Sequence, residues 1–160
     1  MSDIHIQGLA ELNQALQGLS ARIEQNILRG ALRAGQKEIL EAAKANVPIK
    51  SGALRDSLKI KTSNRKGKVS ATLSAGNKKV YYAHMVEFGT AKHFIKPKKA
   101  KSLFFAGLAR QVVDHPGANA QPFMRPALDG AQEKALTAFR EYLIDRIPKE
   151  IAKANGGAGA

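Results

Sequence analysis

Hydrophobic residues recur every three or four positions over the first third of the chain: Leu9, Leu12, Leu16, Leu19, Ile23 and Ile27, then more loosely Ala31, Ala34 and Ala42. That spacing lines one stripe of a helix and predicts an α-helix over 9–46, with Gly18 or Gly30 as a point where it could break. Pro48 ends it, because proline restricts the residue before it and carries no amide hydrogen. The stripe is longer than so small a domain needs. Either the helix divides, or part of the stripe packs on another subunit.

Beyond Ser51-Gly52 and a short apolar element at Ala53-Leu54, the period changes to two. Leu58, Ile60 and Thr62 alternate with polar residues, Asn64-Arg65-Lys66-Gly67 signals a turn, and Val69, Ala71 and Leu73 alternate again. This predicts an antiparallel hairpin with one buried face. After a turn at Gly76-Asn77, residues 80–88 read as a strand or a short helix that stops at Gly89-Thr90. Ile95 and Pro97 suit an edge strand, Leu103-Phe104-Phe105 a second and Gln111-Val112-Val113 a third, joined by basic and glycine-containing loops.

Pro116-Gly117 is a further turn. Pro122 to Pro126 pins the start of a last helix, since proline fits a first-turn position without losing a needed hydrogen bond. Leu128, Ala131, Ala135, Phe139, Leu143 and Ile147 continue that helix, and Pro148 weakens or ends it. The pattern predicts an α+β fold, a small antiparallel β-sheet packed by a long N-terminal helix and a C-terminal helix. Residues 1–150 form one domain without repeats or linkers, and 151–160 a flexible Gly/Ala tail.

Charge changes this picture in one place. The chain has 160 residues and a formal net charge of +13. Residues 1–49 carry five basic and five acidic groups, and residues 102–160 seven and six. The middle, 50–101, holds fourteen basic groups against Asp56 and Glu87 alone, a net of +12. A field so concentrated attracts a polyanion or an acidic protein surface and weakens with salt. The candidate contacts are Lys61, Arg65, Lys66, Lys68, Lys78, Lys79, Lys96, Lys98, Lys99 and Lys101. The plainer reading of Lys66, Lys68, Lys78 and Lys79 is that they keep turns soluble and strand edges unpaired. Tyr81, Tyr82, Phe88 and Phe94 lie among them without the spacing of a base-stacking platform.

Chemistry finds little purchase. The absence of cysteine removes disulfides, thiolate metal sites and a cysteine nucleophile. No phosphate-binding glycine loop or nucleophile elbow occurs. His5, His84, His93 and His115 form no metal-type pair, so no metal or cofactor is expected. Glu87 with His84 could serve a small hydrolase or nuclease, yet a second carboxylate is missing; a salt bridge from Glu87 to a nearby cation is the simpler reading. No apolar run approaches membrane-spanning length, and MSDIHIQG lacks the features of a secretion signal. In Glu87-Phe88-Gly89-Thr90, Phe88 is expected to plug the core, Gly89 to allow positive φ, Thr90 to cap, and Glu87 to anchor the turn.

Two segments, Tyr82-Ala83-His84-Met85-Val86-Glu87-Phe88-Gly89-Thr90 and Pro122-Phe123-Met124-Arg125-Pro126-Ala127-Leu128, are similar to the two signatures of the tail-component family of long-tailed double-stranded DNA phages. Ile95 to Phe105, which contains Pro97, and His115-Pro116-Gly117 also fit that family. So does Val47 to Ser57, with its Pro48, Gly52, Leu54 and Ser57; Ser51 stands where threonine is more usual. The resemblance spans residues 5–147. It marks Pro48, Gly52, Leu54, Tyr82, Glu87, Phe88, Gly89, Thr90, Pro97, Pro116, Gly117, Pro122, Phe123, Arg125 and Pro126 as architectural positions. It implies a non-enzymatic neck or tail-completion protein, made in the host bacterial cytoplasm, that works at the virion head–tail junction as a ring, usually six-fold. Its partners would be further copies of itself, tail-tube and head-closure proteins, and the packaged DNA without sequence preference. The alternative from charge alone is a free-standing basic nucleic-acid-binding protein.

Overall fold

The computed structural model describes residues 21–49, 52–97, 103–105 and 107–156. In chain order these form α1 (Ala21–Asn46), α2 (Ala53–Asp56), β1 (Lys59–Arg65), β2 (Lys68–Ser74), α3 (Ala83–Phe88), β3 (His93–Ile95), β4 (Leu103–Phe105), β5 (Leu108–Arg110), β6 (Val113–His115) and α4 (Met124–Gly156). The class is α+β. The strands form three separate two-stranded antiparallel ladders, β1–β2, β3–β6 and β4–β5.

The core is the antiparallel pair α1 and α4. Along α1 and its end, Ile27, Ala31, Gly35, Ile39, Ala43 and Val47 are buried at every fourth position. Phe123, Ala127 and Ala131 do the same at the start of α4, with half-buried Ala135 and Phe139 extending the row. Two rows of i±4 spacing mesh, and small residues at the crossing let the backbones close in. A Cβ on Gly35 would lie 2.8 Å from the carbonyl oxygen of Ala135, and one on Gly30 would collide with the phenol ring of Tyr142. Gly30 therefore does not break the helix. The half of the apolar stripe at Leu9–Leu19, with Gly18, lies outside the described residues.

On either side of this crossing the side chains enlarge into two apolar clusters. One joins Ala43, Val47, Leu54, Leu58, Val80, Ala83, Phe123 and Ala127; the other joins Ile27, Ala31 and Leu143, with Phe139, Tyr142 and Ile147 against it. α4 runs on through Pro148 to Gly156, taking in the first residues of the segment expected as a flexible tail. Proline costs a helix one hydrogen bond. Here the pairs Lys149–Asp145 and Arg146–Glu150 straddle it, Lys153–Glu150 follows, and Ile147 packs on the second cluster.

The β1–β2 hairpin turns at Lys66 (φ 51°) and Gly67 (φ 78°), two successive left-handed residues that match strand twist. Its register pairs Ile60 with Leu73, Thr62 with Ala71 and Asn64 with Val69. That face lies toward α1, where the Asn64 amide donates to the Gln25 side chain. The other face carries Lys59, Lys61, Ser63, Arg65 and, across from them, Ser74, Thr72, Ser70 and Lys68.

The described parts of residues 90–118 make an interrupted two-stranded arm. Thr90 bridges Ala118 at its base, β3 pairs with β6 above, and β4 pairs with β5 toward the turn at Gly107. β3 stops at Ile95, so Pro97 has no place in a ladder, as its missing donor dictates. The strand expected at Gln111-Val112-Val113 begins only at Val113: Gln111 and Val112 separate β5 from β6.

Two glycines give a contrast that urea denaturation can read. Gly35→Ala should lower stability despite about 1 kcal/mol of improved helix propensity, because the Ala135 carbonyl blocks it. A Cβ on Gly130 meets nothing within 4 Å. Gly130→Ala should raise stability by about 0.5–1 kcal/mol.

Candidate functional site

The two sequence segments that stand out most, 82–90 and 122–128, meet in space through one side chain. α3 is short, with Ala83 and Glu87 on its buried face one turn apart. Glu87 is only 9% exposed. Its Oε2 accepts from the backbone N–H of Phe123 at 2.8 Å and of Met124 at 2.9 Å, and its Oε1 accepts from that of Arg125 at 3.1 Å. A helix begins with four N–H groups that have no partner inside it. In α4 Glu87 takes three, and the fourth position is Pro126, which has none. A carboxylate here also meets the positive end of the helix dipole.

Burial pushes the Glu87 carboxyl up, but the N–H groups of Met124, Phe123 and Arg125 and the Arg125 charge outweigh it, leaving its pKa below the ordinary carboxylate value. The expected salt bridge is thus replaced by backbone amides; the Arg125 side chain is exposed and contributes only its field. Glu87 anchors a helix 36 residues away, where the sequence suggested an anchor for its own turn.

The rest of the junction is backbone. Gln121 N–H donates to the Val86 carbonyl at 2.8 Å, and Thr90 and Ala118 exchange both hydrogen bonds at 2.9 and 3.1 Å. Thr90 is a ladder residue here, with no capping role. Gly89 has φ 71°, and a Cβ on it would lie 2.7 Å from the Ala118 oxygen; a Cβ on Gly117 (φ 93°) would lie 2.2 Å from the Thr90 oxygen. Two chain segments cross so closely that only glycine fits at either. Phe123 is wholly buried beneath the junction and Met124 packs against the same cluster. Phe88 is 71% exposed and does not plug the core; with Glu87 turned inward toward α4, its neighbour points out. Pro116 and Pro122 are exposed in the connecting loop.

Next to this junction Pro48, Gly52, Leu54, Arg55, Tyr82, Val86 and Gln121 line an open cleft. Sequence reasoning grouped Pro48, Gly52 and Leu54 only by resemblance; the fold places them beside Tyr82. Ser57 ties the same region together: buried, it donates to the Leu54 carbonyl at 2.6 Å and accepts from Gly76 N–H at 3.0 Å.

The cations fall into two groups. Lys59, Lys61, Arg65, Lys66 and Lys68 are exposed on the hairpin, with Lys78 and Lys79 exposed in the loop that follows it. None of these seven joins an ion pair among the described residues. Lys96 is exposed on the arm, and Lys98, Lys99 and Lys101 lie outside the described residues. His84 is exposed while the Glu87 carboxylate is occupied by three amides, so the two do not form an acid–base pair. His93 and His115 stack across β3–β6 with ring centroids 5.0 Å apart. No cluster of three metal-type ligands occurs among the described residues, and none of their helices is long and apolar enough to cross a membrane.

Comparison with known families adds one finding. The family described as "Bacteriophage HK97-gp10, putative tail-component" matches residues 10–89, from the N-terminal stripe through Glu87 to Gly89. The blocks around Pro97, Pro116-Gly117 and Pro122–Pro126 lie beyond the matched span. No curated protein and no solved structure matches the chain.

Glu87→Ala leaves three amides without their acceptor and should cost about 2–4 kcal/mol, from about 1–3 kcal/mol for each buried donor less what water recovers. Glu87→Gln should cost less, because its carbonyl oxygen still accepts. Since the folded pKa lies below the unfolded value of about 4.3, the carboxylate's contribution is complete above that pH and is lost as pH falls through the folded pKa. Thermal melts of wild type and Glu87→Gln should therefore converge on acidification.

Proposed function

The chain belongs to the HK97-gp10-like family of bacteriophage tail components, and from that premise we propose that it completes the tail at the head–tail junction, as one subunit of a ring through which DNA passes. The family match carries this reading. The family is structural, and a tail component resides in the virion. Three features of the chain support the finer role. Its most distinctive carboxylate is spent on holding a helix, which suits a framework part. Seven cations of the hairpin and the loop after it are exposed and join no ion pair among the described residues. Its apolar side chains at Tyr81, Met85, Phe88, Phe94 and Phe104 face outward, as surfaces that meet other proteins do.

Self-association into a six-fold ring multiplies the net +12 of residues 50–101 to about seventy charges. The β1–β2 hairpin, about 20 Å long, offers a cationic face matched in length to about a dozen duplex phosphates. Such contacts would hold DNA without reading its sequence. Alternatively the same lysines dock on acidic surfaces of tail-tube or head-closure proteins, speeding encounter more than raising affinity.

In an infection that lacks this chain, heads and tails should accumulate unjoined, and added purified protein should restore joining and label one end of the tail tube. Normal joining without it, or label along the tube, would overturn the role. Reversing Lys66, Lys68, Lys78 and Lys79 to glutamate should leave rings intact but let joined particles lose DNA. Retention at wild-type level would assign those lysines to a protein partner. The exposed hairpin cations favour one further reading, free-standing nucleic-acid binding; it requires salt-sensitive binding to duplex DNA by a protein that never attaches to tails.

A further inference from the structure

We propose that the 90–118 arm of one copy docks its exposed apolar side chains, with Phe104 foremost, into the α1/α4 groove of a second copy. The inference rests on the ring reading above and names the two surfaces that would build the ring.

The arm is a poor structure by itself. A two-stranded ribbon is marginal in water, and this one exposes Phe94 at 66%, Phe104 at 81% and Leu108 at 56%. Among the described residues each of its strands is paired on one side only, which leaves edge N–H and C=O groups for a partner. Residues 90–118 include six basic groups and one acid, Asp114, which pairs with Lys92 at 2.8 Å.

The complementary surface lies elsewhere on the same chain. Leu32 and Ile39 of α1 and Leu128, Leu136 and Phe139 of α4 enclose an almost wholly apolar groove of about 270 Å³. That is below the range of about 300–1,000 Å³ usual for small-molecule sites, and suits one or two large side chains. Leu128 at its rim is 46% exposed. Gln36 lines the wall, and its Oε1 is buried with no hydrogen-bond partner. That oxygen is closed off from the surface, so the groove offers an arriving copy apolar contact rather than this acceptor. Beside Leu128 and Gln132, Asp129 and Glu133 are exposed and join no ion pair among the described residues. They match the cationic arm.

Projection and groove coexist unfilled in one protomer, since Phe104 is exposed while the groove stands open. A one-way contact between two different patches of identical chains is head-to-tail; it closes as a ring where the rotation between copies allows and runs on as a filament where it does not. An arm-to-arm contact would instead stop at a dimer.

The absence of native cysteine makes the test direct. Two variants, Phe104→Cys and Leu128→Cys, are purified separately and mixed with a short bismaleimide, alone and on purified tails. A cross-linked pair should form in the mixture and in neither variant alone. Phe104→Ser, at an exposed position that folding does not need, should weaken self-association at least tenfold. Cross-linking of Phe104→Cys with itself would overturn the inference in favour of arm-to-arm pairing. If wild-type rings assemble on tails yet no Phe104–Leu128 adduct forms, the arm docks elsewhere and the inference fails while the ring reading stands. If wild type neither assembles nor attaches to tails, the ring reading fails first.

Discussion

A single carboxylate fixes where the last helix begins. Glu87 sits on a six-residue helix, and its two oxygens accept from Phe123, Met124 and Arg125. The next residue, Pro126, brings no amide, so the helix start is saturated without water. That arrangement decides the position of α4, hence which residues of α4 face α1, hence where the Gly35–Ala135 approach falls. It also fixes the base of the arm, since Gly89, Thr90, Gly117 and Ala118 cross immediately beside it. Phe123, wholly buried, closes the apolar cluster beneath. Few groups on the chain bind so many elements together.

Much of the frame was readable from pattern. The four-residue rhythm after Ile23, the stop before Pro48, the alternation on either side of Lys66-Gly67 and the helix opening at Pro126 are local signals, and local structure follows them. The misreadings share a cause: they concern residues whose roles depend on distant partners. Gly30 looked like a weak point in a helix and is a contact for Tyr142. Pro148 looked like a terminus, yet packing and flanking ion pairs carry the helix past it. Phe88 looked like core because phenylalanine usually is, but its neighbour Glu87 takes the inward direction. The Glu87 partners could not be read at all, because backbone amides leave no mark in a sequence. The one available hint was an acid in a basic stretch together with a proline at a helix start.

Legibility of function was divided in the same way. The family match ends at Gly89, before the segments that Glu87, Gly89 and Thr90 hold in place. The physical connection between 82–90 and 117–125 explains why both segments should matter to one architecture. Composition located the positive charge; the hairpin register explains its one-sidedness, with lysine and arginine on the face opposite Ile60 and Leu73. The body of the molecule is thus a frame of two helices, with a cationic hairpin and an arm bearing exposed apolar side chains at its surface.

The claim that Glu87 is the architectural lock is tested most directly by titrating its side-chain carboxyl with carbon-detected NMR. Three backbone donors favour the charged form, so the carboxyl should protonate below the ordinary glutamate value, and the amide resonances of Phe123, Met124 and Arg125 should move on the same curve. A pKa at or above the ordinary value, with those three amides unresponsive, would contradict the account.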